Sequence, residues 1–389
     1  MDPIPYGAQW IDEADIQAVC GVLRGELITQ GPVADQFERK ICELTGAKYC
    51  VCLANATAAL HLAVMAFDLK KGTEGITSTN TFVASSNAFV YSGLKPVLAD
   101  IDPRTFNVFP EDLAKRINKN TRVIIPVHFA GQPCDMKAIR DLAGKGIKIV
   151  EDAAHAIGSR YADGSLVGGC KYSEMTVFSF HPVKTITSGE GGAITTNDPA
   201  LYDRLRAMRI SGMVKETLKN KPGPWYYEVQ YLGYNYRLTD IHCALGLSQL
   251  GKLGKFVERR RQIVARYNKE FASIPCMTTP YERPDVFSAF HLYVSLIDFN
   301  KLGKSRKQVI EELVAQKIGT QVHYIPVHEQ PYYRANYGYK HGDLPNSEKY
   351  YEHALSIPLY PKMTDEQVEH VLKHVKRVLG FVGVARRGF

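Results

Sequence analysis

The stretch from Arg122 to Asp152 reads RVIIPVHFAGQPCDMKAIRDLAGKGIKIVED, and its pattern predicts a strand, a helix and a second strand. The runs VIIPVHF and IKIVE are apolar at consecutive positions, which is typical of strands that are covered on both faces. Between them, Asp135–Ala143 has the apolar spacing of an amphipathic helix, and the connection is long enough for a crossover. The stretch therefore predicts one unit of a mostly parallel sheet in a doubly wound α/β domain.

The same alternation of short apolar runs and amphipathic stretches continues on both sides. Strands are predicted at Tyr49–Leu53, Pro96–Ile101, Arg122–Phe129, Ile147–Glu151, Met175–Phe180 and Gly192–Thr196, and a helix at Asp12–Arg24. A Pro- and Gly-containing excursion follows at Leu218–Tyr231, and Thr239–Phe271 is predicted to form one long helix. Beyond it, strands are predicted at His291–Ile297 and Thr320–Tyr324, and helices at Ser305–Gln316 and Asp365–Val378. We therefore expect a large α/β domain over residues 1–250, a smaller α+β domain over 251–380 and a tail over 381–389.

Composition restricts the classes of partner. The 389 residues are 45% hydrophobic and 23% charged, which is ordinary globular usage, and 48 Lys and Arg against 40 Asp and Glu leave a net charge of +8. This mild excess suits an anionic small molecule and does not require a nucleic acid. No run of apolar residues reaches the length of a membrane span, and the N-terminus lacks the pattern of a signal peptide. We expect a cytoplasmic protein whose eight scattered cysteines are free thiols.

The first candidate site residue is Asp152, at the end of the apolar run Ile147–Val150. Ligands of open parallel sheets bind beyond the carboxyl ends of the strands, so a carboxylate there can point into a site. Successive strand residues face opposite sides, so only one of Glu151 and Asp152 is expected to face a given ligand. The alternative is that Asp152 merely caps a helix that starts in AAHAIG.

The second candidate is Lys184, in the loop FSFHPVKTITSGEGG from Phe178 to Gly192. Burial in such a loop lowers the pKa of a lysine and makes its amine a nucleophile, although most loop lysines are simply solvated. Here a hydroxyl, Ser179, lies nearby in sequence, and Asp152 precedes the loop by about one strand-helix-strand step. An aspartate and a lysine on neighbouring strand ends are what pyridoxal phosphate (PLP) requires.

The third candidate is the segment ANATAALH from Ala54 to His61, where a predicted strand meets a helix through small residues. Small side chains let phosphate oxygens approach the free N–H groups and the positive end of a helix. The alternative is an ordinary helix start capped by Asn55.

In these three stretches the sequence resembles the DegT/DnrJ/EryC1/StrS group of sugar-nucleotide aminotransferases, which have the aspartate aminotransferase fold (PLP fold type I). The resemblance runs from about Pro5 to Leu379. Its further marks are ITQGP from Ile28, NTFVASSN from Asn80, EDAAH from Glu151 and GYNYRLTD from Gly233.

The resemblance implies a role for each matching residue. Lys184 would form the internal aldimine with PLP, Asp152 would pair with the ring nitrogen, Phe82 would stack on the ring, and His155 would lie beside the 3-oxygen. Ala56, Thr57 and Ser179 would bind the phosphate, and Asn235 and Arg237 would reach the cofactor of the neighbouring subunit in a homodimer with shared sites. Thr29 and His323 are the candidate substrate contacts.

Within the family, the segments QVHYIPVH from Gln321 and QPYY from Gln330 are most similar to the branch that acts in pseudaminic acid biosynthesis. The resemblance then implies transfer of an amino group from L-glutamate to C4 of a UDP-linked 4-keto-6-deoxy-N-acetylhexosamine, through pyridoxamine phosphate (PMP). The competing hypotheses are a transaminase for another nucleotide-linked 4-keto sugar, of the perosamine or 4-amino-arabinose type, a PLP/PMP sugar dehydratase, or a non-catalytic binding protein of this fold.

Three features lie outside these stretches. His370 and His374 have helical metal-ligand spacing but lie in a Lys-rich amphipathic stretch, so we predict no metal site. The basic segment Lys252–Arg261 is either a solvated helix face or a path for the substrate's diphosphate. His323 and His328 could equally be packed core residues.

Overall fold

The structure is a computed structural model, and it describes residues 2–215 and 218–381. Seven strands form the central sheet: β1 (Tyr49–Leu53), β2 (Glu74–Ser78), β3 (Lys95–Ala99), β4 (Thr121–Ile125), β5 (Lys148–Asp152), β6 (Met175–Ser179) and β7 (Gly192–Thr196). Their order across the sheet is β1-β7-β6-β5-β4-β2-β3, and β7 alone runs antiparallel to its two neighbours. The predicted mostly parallel sheet is confirmed.

Strand β2 was missed because its sequence, EGITS, combines charge, a hydroxyl and a glycine. Glycine usually weakens a strand, but here the helix above leaves no room for a side chain. A Cβ atom at Gly75 would lie 2.4 Å from the ring of Phe89. The glycine therefore permits close packing between the strand and that helix.

Helices cover both faces of the sheet, and the bounds of the first eight are α1 (Glu13–Leu23), α2 (Pro32–Thr45), α3 (Ala56–Ala66), α4 (Ala84–Tyr91), α5 (Pro110–Arg116), α6 (Met136–Ala143), α7 (Pro199–Arg209) and α8 (Asp240–Leu250). Alternate strand residues enter different cores: Ile149 packs in the cluster with α2, α6 and α8, whereas Val150 packs in the cluster with α3, α4 and α7. This alternation is the doubly wound arrangement that the apolar runs predicted.

The prediction of one helix over Thr239–Phe271 is wrong. The chain forms α8 and a second helix, α9 (Leu253–Phe271), with a break at Gly251 and Lys252. Glycine is a poor helix former, and the Lys252 ammonium contacts Asp12 and lies 2.8 Å from Asp15, at the start of α1. The break lets α8 pack against α1 while α9 runs into the C-terminal part of the chain.

The C-terminal part has a second sheet and a core of its own. Its antiparallel strands are β10 (Met277–Thr278), β11 (Tyr293–Ile297) and β12 (Ala354–Ile357), and its helices are α10 (Phe299–Leu302), α11 (Arg306–Ala315), α12 (Pro331–Tyr337), α13 (Pro345–His353) and α14 (Asp365–Val378). The strand predicted at Thr320–Tyr324 is reduced to a single bridge between Gln321 and Ser356. The core of this part includes Ile4 as well as Ile263, so the N-terminal segment also packs here.

The excursion predicted at Leu218–Tyr231 contains one short strand. It is β9 (Glu228–Val229), and it pairs antiparallel with β8 (Met213–Val214). The division at residue 250 stays our proposal for the domain boundary, and residues 382–389 of the predicted tail lie outside the described residues. In the ranges 2–215 and 218–381, no helix has the length and apolarity needed to cross a bilayer.

Candidate active site

A cavity of about 690 Å³ opens at the carboxyl ends of β5 and β6. Of the residues singled out from the sequence, those that line it are Ala56, Thr57, Phe82, Asp152, His155, Ser179, Lys184 and His323. They come from the ends of the central strands, the start of α3, the turn before α4 and the C-terminal segment around residue 323. The fold thus brings eight of the eleven predicted residues into one cavity.

Asp152 is the last residue of β5 and is buried against α4. One carboxylate oxygen accepts a hydrogen bond from the Ser85 hydroxyl at 2.6 Å, and the other accepts from the Ala154 N–H at 3.0 Å. Ser85 in turn contacts the Thr81 hydroxyl at 2.8 Å. These bonds hold the carboxylate in one orientation at the cavity wall.

Glu151 faces the opposite side of the sheet and is fully buried. His128 Nε2 donates to it at 2.7 Å, because the other ring nitrogen accepts the Cys134 N–H at 3.0 Å. Burial by itself would raise the pKa of Glu151, but the hydrogen bonds from His128, Ser173 and Tyr161 outweigh it and lower that pKa. The expectation that only one member of the Glu151-Asp152 pair faces the cavity is confirmed.

Lys184 lies in a tight turn after β6, and its backbone N–H donates to the His181 carbonyl at 2.9 Å. The side chain is half-buried in the cavity. Burial lowers the pKa of the amine from 10.5 to about 8, although the charge of Asp152 partly opposes the shift. The neutral, nucleophilic amine is therefore about a tenth of the population at pH 7 and about half at pH 8.

This pKa gives a direct test in protein that has been freed of bound small molecules. After reductive methylation with a ¹³C label, we expect the Lys184 resonance, assigned by its loss in Lys184→Ala, to titrate with a midpoint near pH 8. A lysine on an exposed helix face, such as Lys307, supplies the reference. A midpoint for Lys184 near the ordinary value of 10.5 would contradict the buried-amine interpretation.

The start of α3 forms a cradle beside this lysine. Asn55 caps the helix by accepting the Ala58 N–H at 2.8 Å, as the capping alternative predicted. The cap does not exclude phosphate binding, because Ala56 and Thr57 of the same helix start line the cavity. A Cβ at Gly192 would lie 2.7 Å from the Ala56 nitrogen, so glycine is needed for strand and helix start to approach so closely. With the Ser179 hydroxyl at the same wall, the cradle suits a phosphate.

His155 is buried between the cavity and the backbone at Ala130. Its Nδ1 accepts the Ala130 N–H at 3.3 Å, which leaves the proton on Nε2, 3.2 Å from the Tyr324 hydroxyl. Burial, together with the charges of Lys184 and His323, holds the pKa of His155 well below its ordinary range. The ring is therefore a neutral donor at the cavity.

Two further histidines surround this ring. His291 lies 4.4 Å from His155 between ring centroids, and His323 Nδ1 is 2.8 Å from the Ser356 hydroxyl. Burial is the main reason why the pKa of His291 is also well below its ordinary range and that of His323 falls to about 3. The side of the cavity nearest these rings thus carries donors and acceptors without permanent charge.

Aromatic side chains close the cavity. Phe82 is 58% exposed and lies 6.2 Å from the Tyr324 ring, so one of its faces is available to a planar ligand. Sequence reasoning missed Tyr6, Tyr324 and His291 as lining residues and missed Ser85 as the partner of Asp152. Tyr324 and Ser85 carried a signal, because they lie in the QVHYIPVH and NTFVASSN segments; Tyr6 and His291 reach the cavity only through tertiary packing.

Thr29, Asn235 and Arg237 do not line this cavity. Asn235 is exposed and bridges to Ile210 near the β8-β9 hairpin. Large apolar side chains on or next to the same hairpin are also exposed, notably Trp225 at 72% and Leu232 at 78%. Within one chain, Asn235, Trp225 and Leu232 are therefore open to solvent, whereas Thr29 and Arg237 are half-buried outside the cavity.

The basic segment Lys252–Arg261 does not line the cavity either. Arg259 and Arg261 form ion pairs with Asp365 and Glu282 at 2.7 Å. The prediction of a solvated face is wrong for Arg260, which is fully buried and donates to the Leu359 carbonyl at 2.8 Å. The segment fastens α9 to its neighbours.

Comparison with known proteins shows the family to which the chain is similar. Residues 9–376 match the DegT/DnrJ/EryC1/StrS aminotransferase family. The spore coat polysaccharide biosynthesis protein SpsC of Bacillus subtilis is 40% identical over 380 residues, covering 97% of each chain. PseC of Helicobacter pylori, an aminotransferase involved in the biosynthesis of pseudoaminic acid, superimposes with a TM-score of 0.91 at 31% identity, covering 97% of this chain and all of its own.

A sugar aminotransferase described as putative, Spr1654 of Streptococcus pneumoniae, has been solved in a PLP form that superimposes with a TM-score of 0.89 at 32% identity, covering 97% of this chain and 99% of its own. A PMP form of the same protein is also similar. The whole-chain family match, the shared fold and the lysine-aspartate cavity agree. The chain belongs to the DegT/DnrJ/EryC1/StrS family of PLP-dependent sugar aminotransferases.

Proposed function

We propose that the chain transfers an amino group from L-glutamate to C4 of a UDP-linked 4-keto-6-deoxy-N-acetylhexosamine, the type of reaction used for pseudaminic acid. The observation that carries the proposal is a single cavity in which Lys184 and Asp152 meet the segment from Gln321 to Gln330. The fold similarity to PseC, an aminotransferase of that pathway, supports the choice of sugar.

The residues of the cavity fit PLP. The Ala56 and Thr57 N–H groups and the Ser179 hydroxyl suit its phosphate, and the Asp152 carboxylate suits a protonated ring nitrogen. Phe82 offers a face to the ring, and His155 offers its Nε2 proton to an oxygen substituent. When bound, PLP supplies an aldehyde that captures amines and a ring that accepts electrons.

The chain itself then has two chemical tasks. With a pKa of about 8, the Lys184 amine can remove a proton from the α-carbon of the amino acid. In the second half of the reaction it can deliver a proton to C4 of the sugar. Asp152, held by Ser85 and Ala154, keeps a positive charge stable at the ring nitrogen. The buried side chains of His155, His291 and His323 limit access of water to their side of the cavity.

The substrate is tested by incubating the enzyme and glutamate with UDP-, GDP- and dTDP-linked 4-keto sugars and following release of 2-oxoglutarate. We expect the UDP-linked 4-keto-6-deoxy-N-acetylhexosamine to give the highest kcat/KM. A higher value with a GDP- or dTDP-linked sugar would favour the second candidate, a transaminase for another 4-keto sugar of the perosamine or 4-amino-arabinose type. The 40% identity to SpsC, a spore coat polysaccharide biosynthesis protein, is the observation behind that candidate.

A sugar dehydratase and a non-catalytic binding protein would each behave differently in this assay. A dehydratase would convert the sugar without releasing 2-oxoglutarate, and a non-catalytic protein would do neither. The presence of Lys184 in the cavity favours transamination over both. We also propose that the reaction takes place in the cytoplasm, because all eight cysteines are free thiols, as is typical of a reducing compartment.

We further propose a homodimer in which Asn235 and Arg237 reach the cofactor of the partner subunit. In the same dimer, Thr29 contributes to the substrate site of the partner subunit. The exposed side chains of Trp225 and Leu232, on or next to the same hairpin, are suited to burial against a second copy. In this arrangement each site needs residues from both chains.

Subunit mixing tests that arrangement. Lys184→Ala and Asn235→Ala should each be inactive alone, but after mixing and exchange about a quarter of wild-type activity should return, because half of the dimers regain one complete site. The amount of 2-oxoglutarate released measures the recovery. If no activity returns although heterodimers form, Asn235 does not act across the interface.

A further inference from the structure

Four side chains converge beside the cavity without belonging to it: His328, Glu329, His341 and Glu348. His328 Nε2 lies 2.9 Å from a Glu348 oxygen and 3.8 Å from a Glu329 oxygen. His341 Nδ1 lies 2.7 Å from the same Glu329 oxygen and 3.6 Å from the second Glu348 oxygen. Two imidazoles and two carboxylates thus direct their polar atoms at one point.

The spacing of these atoms is that of a metal site. Ligand atoms around a tetrahedral ion with bonds of about 2.0–2.2 Å lie about 3.3–3.6 Å apart. The four distances run from 2.7 to 3.8 Å, and the donor atoms of His328, Glu329 and Glu348 all lie within 4.8 Å of one another. Small side-chain movements would bring all four atoms to bonding distance of one ion.

Neighbouring groups hold the buried donors in place. His328 is fully buried, and its Nδ1 is 2.8 Å from the Thr79 hydroxyl, so that hydroxyl can accept the ring proton and leave the Nε2 lone pair directed at the cluster. The Glu348 oxygen nearest His328 Nε2 also accepts the Gly342 N–H at 2.8 Å, which holds the carboxylate in place and leaves its second oxygen, 3.6 Å from His341 Nδ1, for an ion. Outer hydrogen bonds of this kind orient metal ligands in proteins.

The cluster also offers two carboxylates to a cation and has an open side. The carboxylates of Glu329 and Glu348 both approach His328 Nε2 in a partly dry environment, so a cation between them would be attracted by both. The His341 side chain is 70% exposed and gives an ion a route in. A set of two imidazoles and two carboxylates suits Zn²⁺ and neighbouring divalent ions.

We propose that His328, Glu329, His341 and Glu348 bind one divalent ion of the zinc class. The ion fastens the loop that carries His341 and the start of α13 to the turn at Val327–Glu329. Because Val327 and Gln330 line the catalytic cavity, the ion stiffens its rim. Sequence reasoning predicted no metal, since the ligands span 21 positions of the chain without a recognised spacing motif. The proposal does not depend on which sugar is the substrate.

The test is titration of the chelator-treated, cofactor-loaded protein with Zn²⁺ in competition with a chromophoric chelator. We expect one tight ion per chain, with affinity lowered about tenfold or more in His341→Ala and in Glu329→Gln. Both changes lie at the surface side of the cluster, and circular dichroism checks that the variants are folded. His370→Ala is the matched control, because that histidine lies outside the cluster, with its ring centroid 4.3 Å from that of a second histidine, His374, and should leave the affinity unchanged.

Substitution of Co²⁺ distinguishes this site from cysteine binding. We expect d–d bands of a nitrogen and oxygen site without the charge-transfer absorption of a thiolate, and no change in the visible band of the bound cofactor. The proposal is overturned if no ion binds tightly, or if the affinity is the same in wild type, His341→Ala and Glu329→Gln.

Discussion

Lys184→Ala is expected to abolish transamination and covalent retention of PLP while leaving the fold intact. The amine is the only lysine side chain lining the described cavity, and its pKa of about 8 suits both nucleophilic attack and proton transfer. Loss of a proton-transferring group costs about 10²–10⁴-fold, and loss of the covalent attachment adds to that. The measurements are 2-oxoglutarate release and mass spectrometry of the borohydride-reduced protein, in which wild type should carry the cofactor on Lys184.

Lys171→Ala is the matched control, because Lys171 pairs with Asp163 on the surface and is 54% exposed. It should retain wild-type activity and covalent PLP. If Lys184→Ala kept activity within tenfold of wild type, or if reduction attached the cofactor elsewhere, the assignment of Lys184 would be wrong. A preparation that stays colourless after addition of PLP would argue against a catalytic role for the cavity as a whole.

Asp152→Asn is the second change with a large expected effect. It removes a negative charge from the cavity wall but keeps an oxygen that can accept the Ser85 hydroxyl. Removal of a preorganised electrostatic group typically lowers kcat by about 10²–10³-fold, so we expect at least that loss. The free energy of unfolding should fall by no more than about 1–3 kcal/mol, the cost of one weakened buried hydrogen bond.

Glu151→Gln should show the opposite pattern, because Glu151 faces the other side of β5. The change leaves His128, Tyr161 and Ser173 without a charged acceptor, and one buried hydrogen bond to a charged group contributes about 1.5–3 kcal/mol. We expect a lower urea midpoint with kcat per folded molecule near wild type. A large loss of kcat in Glu151→Gln, or none in Asp152→Asn, would reverse the assignment of the two carboxylates.

The pH dependence of stability follows with a definite sign. The folded-state pKa of Glu151 is lowered from 4.5, so its stabilising contribution is complete above pH 4.5 and is lost as the pH falls through the lowered value. In Glu151→Gln this part of the acid destabilisation should disappear from the urea midpoints. Equal acid sensitivity in the variant and wild type would show that other carboxylates govern the transition.

Much of the sheet was predictable because its strands are covered on both faces. Burial on both sides selects consecutive apolar residues, and that pattern is visible in RVIIPVHF and IKIVE without knowledge of the fold. Strand β2 was not predictable, since its Gly75 is explained only by the Phe89 ring that packs on it. The break at Gly251 was missed for a similar reason, because the contacts of Lys252 with Asp12 and Asp15 are distant in sequence.

The meeting of Asp152 and Lys184 in one cavity was predictable for a topological reason. Asp152 and Lys184 follow neighbouring parallel strands, whose carboxyl ends must meet at one edge of the sheet. The roles of Asn235 and Arg237 stay predictions, because one chain directs them away from its own cavity.

The sequence by itself determined the doubly wound sheet, the edge of the sheet at which the cavity lies and the lysine and aspartate that line it, because local patterns and strand order suffice for these. Only the tertiary structure decided which groups form hydrogen bonds to these side chains and shift their pKa values. Ser85 on Asp152, Tyr324 and His291 around His155, and the convergence of His328 with Glu348 all join segments that are far apart in the chain. The low pKa of Lys184 has the same origin, since it comes mainly from burial by residues that local sequence does not specify.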